Sequence, residues 1–317
     1  MPVVEVNDLV LRYGPVTAVD GVSFSTEAGE VLALLGPNGA GKTSTVETLE
    51  GFRRPTSGSV RVLGLDPDAD HDRLTPLIGV MLQDGGIHPG IKPLEVLRLL
   101  AAFYPESDDP ALLLDRVGLS HRAQATARRL SGGERQRLSL AMALIGKPKV
   151  AFLDEPSAGI DVSGRQLVRH AIDELRAGGV CVLVTTHDLE EAEKIADRVV
   201  IMDRGKIAAR GTPGELMSSG GNEEIRFGAP PGLDVAAMGK AMVAAVEELS
   251  PGEYRVQAEA TPTNVAILTA WLAERDLPLA DPRAGRQRLE DVFLKLTSIT
   301  GEIPVIKVDE DSQGAAR

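Results

Sequence analysis

The sequence predicts an α/β fold followed by a small α+β domain. Three observations carry this. The apolar run VLALL (31–35) leads through a glycine-rich loop into a helix-like stretch. Residues 150 to 203 alternate apolar strands with amphipathic helices. A Gly/Ser-rich break at 217–223 then separates this pattern from shorter strands and helices.

In chain order, VVEVNDLVLRY, VTAVDGVSFST and VLALL read as strands, punctuated by Gly14-Pro15 and Ala28-Gly29. The segment GPNGAGKT precedes a helix that runs to about Leu49. Strands return between 56 and 83 as SVRVLG and IGVMLQ. From about 93 to 145 the pattern is helical, and Leu138, Ala141, Met142 and Ile145 recur on one helix face. VAFL (150–153) is a strand that ends in two acids, 163–177 a helix, and VCVLVTT (180–186) a strand. Leu189, Ala192, Ile195 and Ala196 make another helix face, and VVIMDRGKIAARG reads as a hairpin around Arg204-Gly205. Beyond the break come EIRF, a helix from about 233, VAAVEEL, YRVQAEA, a helix over 262–275 and a last helix from about 288.

Composition narrows the classes. The 317 residues are 43% hydrophobic and 25% charged, which is globular usage. Thirty-four basic against 46 acidic residues give a net charge of −12, which argues against a nucleic-acid partner and against charge-driven binding to anionic lipid. One cysteine excludes an internal disulfide framework and a Cys-based zinc site. Cys181 lies in an apolar run and reads as a buried strand residue. Apolar runs of about five residues are far short of the roughly 20 a membrane helix needs. The start MPVVEVNDLV has no secretory pattern. The expectation is a soluble, cytoplasmic chain; any membrane-spanning part belongs to another polypeptide.

Gly36-Pro37-Asn38-Gly39-Ala40-Gly41-Lys42-Thr43 matches G-x-x-x-x-G-K-[ST] at every fixed position. Glycines let backbone N–H groups converge on phosphate oxygens, and the following helix turns its positive end to the anion. Lys42 adds charge near the β and γ phosphates, and Thr43 offers a hydroxyl to Mg²⁺. Asp154 and Glu155 end an apolar strand, where ligands of open α/β sheets bind. Alone, that pair reads better as a helix N-cap. The phosphate loop upstream turns the reading toward Asp154 as a magnesium acid and Glu155 as the group that polarises water.

The segment Leu130-Ser131-Gly132-Gly133-Glu134-Arg135-Gln136-Arg137, taken with the loop and the acids, resembles the signature of the ATP-binding-cassette (ABC) ATPases. Other stations fall in that family's order. Tyr13 resembles the aromatic that stacks on adenine, Gln83 the Q-loop glutamine, Ser157-Ala-Gly-Ile-Asp161 the D-loop and His187 the switch histidine. Singly, Tyr13 reads as a strand-edge aromatic, Gln83 as a surface polar residue, His187 as a helix cap and Ser131 as an N-cap. Their order makes the resemblance specific over about 3–217.

The resemblance implies an α/β fold: a P-loop NTPase of the ABC type, with a RecA-like core, an antiparallel β subdomain and a helical subdomain, plus the small C-terminal α+β domain. The domains would be 1–217 (helical subdomain about 84–145), a linker at 218–223, an accessory domain at 224–300 and a polar tail at 301–317. ATP and Mg²⁺ are the implied cofactors. Glu155, His187 and Lys42 would carry catalysis. Tyr13, Gly36 through Thr43, Ser44, Gln83, Ser131, Gly132, Gly133 and Asp161 would contact nucleotide, and Thr43, Gln83 and Asp154 the metal. The family works as a head-to-tail pair, each ATP lying between one loop and the other subunit's signature. This implies a homodimer, or a heterodimer with another cassette, and a separate membrane permease near Gln83.

Leu289-Glu-Asp-Val-Phe-Leu-Lys-Leu-Thr297 and Gly51-Phe-Arg-Arg-Pro-Thr-Ser-Gly58 resemble the ABC-2, daunorubicin-type exporter branch. By periodicity, Leu289, Val292, Phe293 and Leu296 share one helix face. A soluble ABC ATPase acting on ribosomes or DNA, and an importer subunit, are the alternatives. The single loop and signature, the short stretch between them and the acidic charge weigh against the ribosome and DNA readings. His88 and His121 read as surface residues.

Overall fold

The computed structural model describes residues 2–82, 86–219, 224–284 and 288–298. Gln83 and the tail expected at 301–317 lie outside the described residues. The chain forms a larger unit, Met1–Pro213 with the segment from Phe293, and a smaller unit, Gly214–Val292.

In the larger unit, β1 (Val4–Tyr13) and β2 (Val16–Thr26) pair antiparallel, and β3 (Val31–Leu35) leads through the glycine loop into α1 (Lys42–Leu49). β4 (Ser57–Val62) returns to the far side of β1, giving a sheet of order β2-β1-β4. A one-turn helix, α2 (His71–Leu74), precedes β5 (Ile78–Met81); the sequence reading had only strands here. The expected helical stretch holds α3 (Pro93–Ala101), α4 (Pro110–Arg116) and α5 (Gly132–Leu144), joined by irregular chain and two short 3₁₀ turns. Then come β6 (Val150–Asp154), α6 (Val162–Ala177), β7 (Cys181–Thr185), α7 (Leu189–Ile195), β8 (Arg198–Asp203) and β9 (Lys206–Gly211).

The second sheet has the order β5-β6-β7-β3-β8-β9, parallel throughout except for β9. All five residues of β3 and of β7 are buried, as are the first four of β6. That is the pattern of strands covered on both faces, whereas β1 alternates and is covered on one. The order decides the function. Because β6, β7 and β3 are consecutive and parallel, the loops leaving their C-terminal ends share one sheet edge. Those loops carry Glu155, His187 and the glycine loop. The β8–β9 turn has left-handed backbone at both Arg204 and Gly205, as expected for a tight hairpin.

In the smaller unit, α8 (Pro213–Ser219) begins one residue before the boundary and occupies part of the expected 217–223 break. It is followed by β10 (Ile225–Gly228), α9 (Val235–Met242), β11 (Val246–Ser250), β12 (Glu253–Val256), α10 (Pro262–Ala273) and β13 (Ala280–Ala284). The order β11-β12-β10-β13, all antiparallel, is that of a ferredoxin-like βαββαβ unit. β13 was not legible in the sequence, because Pro282 interrupts it. The topology explains the proline's presence, since β13 is an edge strand. Phe227 and Tyr254 stack at 5.3 Å in a core with Met238, Leu268 and Trp271. In the last helix, α11 (Leu289–Ser298), Leu289, Val292 and Leu296 are buried and Leu294 is exposed.

Candidate active site

The glycine loop is shaped by two close approaches. Gly36 and Gly41 have φ of 156° and 99°, and a Cβ at either would meet a backbone oxygen, of Met202 at 2.4 Å or of Ala18 at 2.5 Å. Ala40 is buried, and its carbonyl accepts from the Gly205 N–H at 3.1 Å, which ties the loop to the β8–β9 turn. Pro37 accepts from the Ala40 N–H at 3.1 Å, and Asn38 and Gly39 are exposed. The Lys42 ammonium donates to the carbonyls of Gly36 at 2.6 Å and Pro37 at 3.2 Å, so it lies across its own loop. Burial holds its pKa below the ordinary lysine value, against the opposing pull of Glu155 and Asp154.

The N-terminus of α1 is left open. Gly41 provides no side-chain cap, and the first turn has no acid. By contrast α4, α6, α7, α9 and α10 are capped by Asp109, Asp161, Asp188, Asp234 and Thr261. An uncapped helix start with unpaired N–H groups, beside a half-buried ammonium, fits a polyphosphate. Thr43 is exposed at that start, and Tyr13 reaches it by donating from its hydroxyl to Ser44 Oγ at 3.1 Å.

Asp154 and Glu155 follow β6 as expected. Thr185 Oγ1 donates to Asp154 Oδ1. Glu155 is 8% exposed and has left-handed backbone with φ 49°, uncommon for a residue with a side chain. Its N–H donates to the Thr185 carbonyl at 2.9 Å, and its carbonyl accepts from Gln136 Nε2 at 2.7 Å. Its carboxylate accepts from Thr186 Oγ1 at 3.2 Å and lies 2.7 Å from His187 Nδ1. The acid and the histidine, 32 positions apart, are thus in hydrogen-bond contact. Among the described residues no three His, Cys, Asp or Glu side chains cluster as metal ligands. One carboxylate, Asp154, with one hydroxyl, Thr43, is a donor set that suits Mg²⁺ shared with substrate phosphates.

The signature forms the start of α5. The Glu134 N–H donates to Ser131 Oγ at 3.1 Å, and Glu134 Oε2 accepts from the Ser131 N–H at 2.8 Å, a capping box. Arg122 Nε donates to Glu134 at 2.8 Å, and the exposed His121 approaches the same carboxylate at 3.6 Å. The two glycines differ. A Cβ on Gly133 would meet Ile160 Cα at 3.3 Å, whereas one on Gly132 would meet nothing within 4 Å. Asp161 caps α6 by accepting from the Gly164 N–H at 2.9 Å. Within one chain the signature and Asp161 lie on helix starts of their own, apart from the glycine loop's helix.

Sequence reasoning missed Gln136, Thr185 and Thr186. Thr185 ends β7 and Thr186 follows it, so the rule that residues at the sheet edge reach the site would have found them. Gln136 needed the packing of α5 beside β6. Cys181 is fully buried, its thiol 2.8 Å from Thr26 Oγ1, and burial pushes its pKa up to about 11.

Fold and site together define a phosphate-loop ATPase of the cassette type. The family described as ABC transporter matches residues 19–158. The Nod factor export ATP-binding protein I of Ralstonia nicotianae is 34% identical over 314 residues, covering 93% of this chain and 94% of that protein. The daunorubicin/doxorubicin resistance ATP-binding protein DrrA of Streptomyces peucetius is 36% identical over 229 residues, covering 71% and 69%. A solved ATP-binding subunit of an ABC transporter is 27% identical, with a TM-score of 0.64, over 69% of this chain and 93% of its own. The chain belongs to the ABC transporter family, as an ATP-binding and ATP-hydrolysing subunit of the group that includes these export proteins.

Proposed function

We propose that this chain drives export of a drug, lipid or other small amphiphile through a separate membrane permease, working as a head-to-tail pair of cassettes around two Mg-ATP. The exporter direction rests on the relatives' names and on the C-terminal LEDVFLKL segment. No helix among the described residues is long and apolar enough to cross a membrane, so the permease is a second polypeptide in this reading. The site of action is then the cytoplasmic face of the membrane.

One observation carries the pairing. Among the described residues α1 has an uncapped start and α5 a capped one whose Gly132 stays open, and the catalytic residues surround only the first. Gly132 has open space that its own fold does not use, beside an exposed Ser131. A phosphate bound by another chain's loop would occupy that space. ATP then joins two surfaces that are otherwise unlinked, and loss of its γ-phosphate lets them part.

The chemical roles follow from position. Lys42 and the open N–H groups of α1 hold the phosphates and offset charge developing on the transferred group. Bound Mg²⁺, held by Thr43 and Asp154 with Gln83 as the third proposed ligand, would neutralise further phosphate charge. Glu155 orients a water for in-line attack, and His187, in contact with Glu155, fixes that carboxylate. Tyr13, beside the loop, supplies a face for adenine. Asp161 sits at the proposed interface and would couple the two sites.

ATPase rate against protein concentration tests the pairing. Specific activity should fall on dilution, and a mixture of Lys42→Ala and Ser131→Arg chains should recover at most one competent site per mixed dimer. Full specific activity from monomers at high dilution would refute the shared site.

A further inference from the structure

Tyr13 closes β1, 41% exposed, with its hydroxyl held by Ser44 of α1. The chain that leaves α1 comes back to this ring. Gly51 makes the turn with φ 84°, where a Cβ would meet the Pro67 carbonyl oxygen at 2.5 Å. Two hydrogen bonds fasten the returning segment to β1. The Thr56 N–H donates to the Val10 carbonyl at 2.8 Å, and Thr56 Oγ1 accepts from the Arg12 N–H at 3.0 Å. Between these fixed points Arg53 lays its guanidinium over the Tyr13 ring, with Cζ 5.2 Å from the ring centroid, and its Nε donates to Glu47 of α1. Ser44 and Glu47 are three positions apart on α1, so one helix face holds both the phenol and the cation. The neighbouring Arg54 is a contrast: it pairs with Asp68, and its side chain is 81% exposed. Arg275 also covers a ring, that of Trp271 at 4.0 Å, but there the indole is buried and only four residues away in the chain. Arg53 and Tyr13 come from separate segments, and the Tyr13 ring is open.

We infer that Arg53 is a positioning residue for the nucleotide base: its guanidinium covers one face of Tyr13 and sets the ring so that adenine stacks on the other. The inference rests on Tyr13 as the platform for adenine, proposed above, and names the group that orients it. The bond to Ser44 cannot do this alone. The hydroxyl lies on the long axis of the ring, so holding it leaves rotation about that axis free, and this torsion has a broad preference. A cation is drawn to the negative face of an aromatic ring, so Arg53 selects the orientation in which the faces, and not the edges, are presented. A base needs a π face to stack on. Glu47 supplies the counter-charge, which holds the guanidinium at the ring when the phosphates of a nucleotide lie nearby.

The test compares binding of Mg-ADP with binding of Mg-pyrophosphate, which has the two phosphates and no base, by calorimetry and competition on the full chain. Arg53→Gln should weaken ADP about two- to fivefold, the scale of an exposed cation–π contact, and leave pyrophosphate unchanged. Arg53→Lys keeps a cation and should recover most of the loss. Tyr13→Ala should weaken ADP about tenfold. Adding Arg53→Gln to Tyr13→Ala should then cost nothing more, because the arginine acts only through the ring. Additive losses would overturn the inference, as would an equal loss for ADP and pyrophosphate, which would make Arg53 a phosphate contact or a fold residue. So would wild-type ADP affinity in Arg53→Gln. Tighter ADP binding in that variant would also overturn it, because the guanidinium would then occupy the face that adenine needs. If Tyr13→Ala binds ADP as the wild type does, the platform itself falls and this inference with it.

Discussion

The two helix starts that the sequence marks with Gly-Lys and Ser-Gly-Gly are built in opposite ways. α1 has no side-chain cap, no acid in its first turn, and a lysine across its loop. α5 closes on itself: Ser131 and Glu134 satisfy each other's N–H groups, and Arg122 neutralises Glu134. The first end is incomplete without an anion. The second is already a stable helix start and holds only a modest further capacity, through the open Gly132. In the proposed pairing, the difference would let the chain recognise its own nucleotide at one end and present a switchable surface at the other. A surface that must release its partner after each turnover cannot depend on the nucleotide for its own folding.

Chemistry at the first end gives the largest expected effect. Glu155→Gln keeps the shape and removes the carboxylate that faces His187. ATP binding should persist while kcat falls about 10³-fold, the scale of a lost general base. Gel filtration with ATP should show the variant accumulating as a dimer. Near-normal turnover would remove Glu155 from the reaction and leave the α1 end as a binding site only.

Ser131→Asp tests the second end. Aspartate caps helices about as well as serine, so Tm should stay within about 1 °C of wild type if capping were the residue's whole role. A carboxylate at the site proposed for another chain's γ-phosphate repels it, so ATPase should fall more than about tenfold. A variant with unchanged Tm and unchanged turnover would reduce α5 to an ordinary capped helix and erase the contrast.

Gln136 links the ends. Its amide donates to the Glu155 carbonyl at 2.7 Å, from one turn inside the helix that bears the signature. Glu155 keeps left-handed backbone there, a conformation that needs support. Losing one such hydrogen bond is worth about 1 kcal/mol, so Gln136→Ala should lower kcat about fivefold with KM for ATP unchanged. A change in KM alone would place Gln136 with the nucleotide instead of with Glu155.

Much of this was legible in the sequence because it is local or follows sheet order. VLALL, VAFL and VCVLVTT are apolar on both faces and could only be interior strands, and the residues after each fell on one edge. The hairpin at Arg204-Gly205 announced itself by its turn residues. What escaped depends on distant packing. Nothing in Gln136 alone points to Glu155, and a left-handed Glu155 carries no glycine to mark it. β13 hides behind Pro282, and α8 behind a Gly/Ser run that looks like a linker.

The smallest expected effect separates fold from function within a single pair of residues. Gly132 and Gly133 are adjacent, yet a Cβ would have open space at the first and backbone at 3.3 Å at the second. Gly133 is therefore explained by the approach of the Ile160 backbone; Gly132 is not explained by the fold at all. Gly132 does not have positive φ, so alanine enters without strain and removes unfolded-chain entropy. Gly132→Ala should raise stability by about 0.5 kcal/mol, seen as a Tm increase of about 1–2 °C. Gly133→Ala should lower it, because backbone must shift. If Gly132 exists to let a phosphate approach, the more stable variant will be the poorer enzyme, with a ATPase rate reduced severalfold at equal protein concentration. A Gly132→Ala chain that is both more stable and fully active would show that the open space at α5 receives nothing.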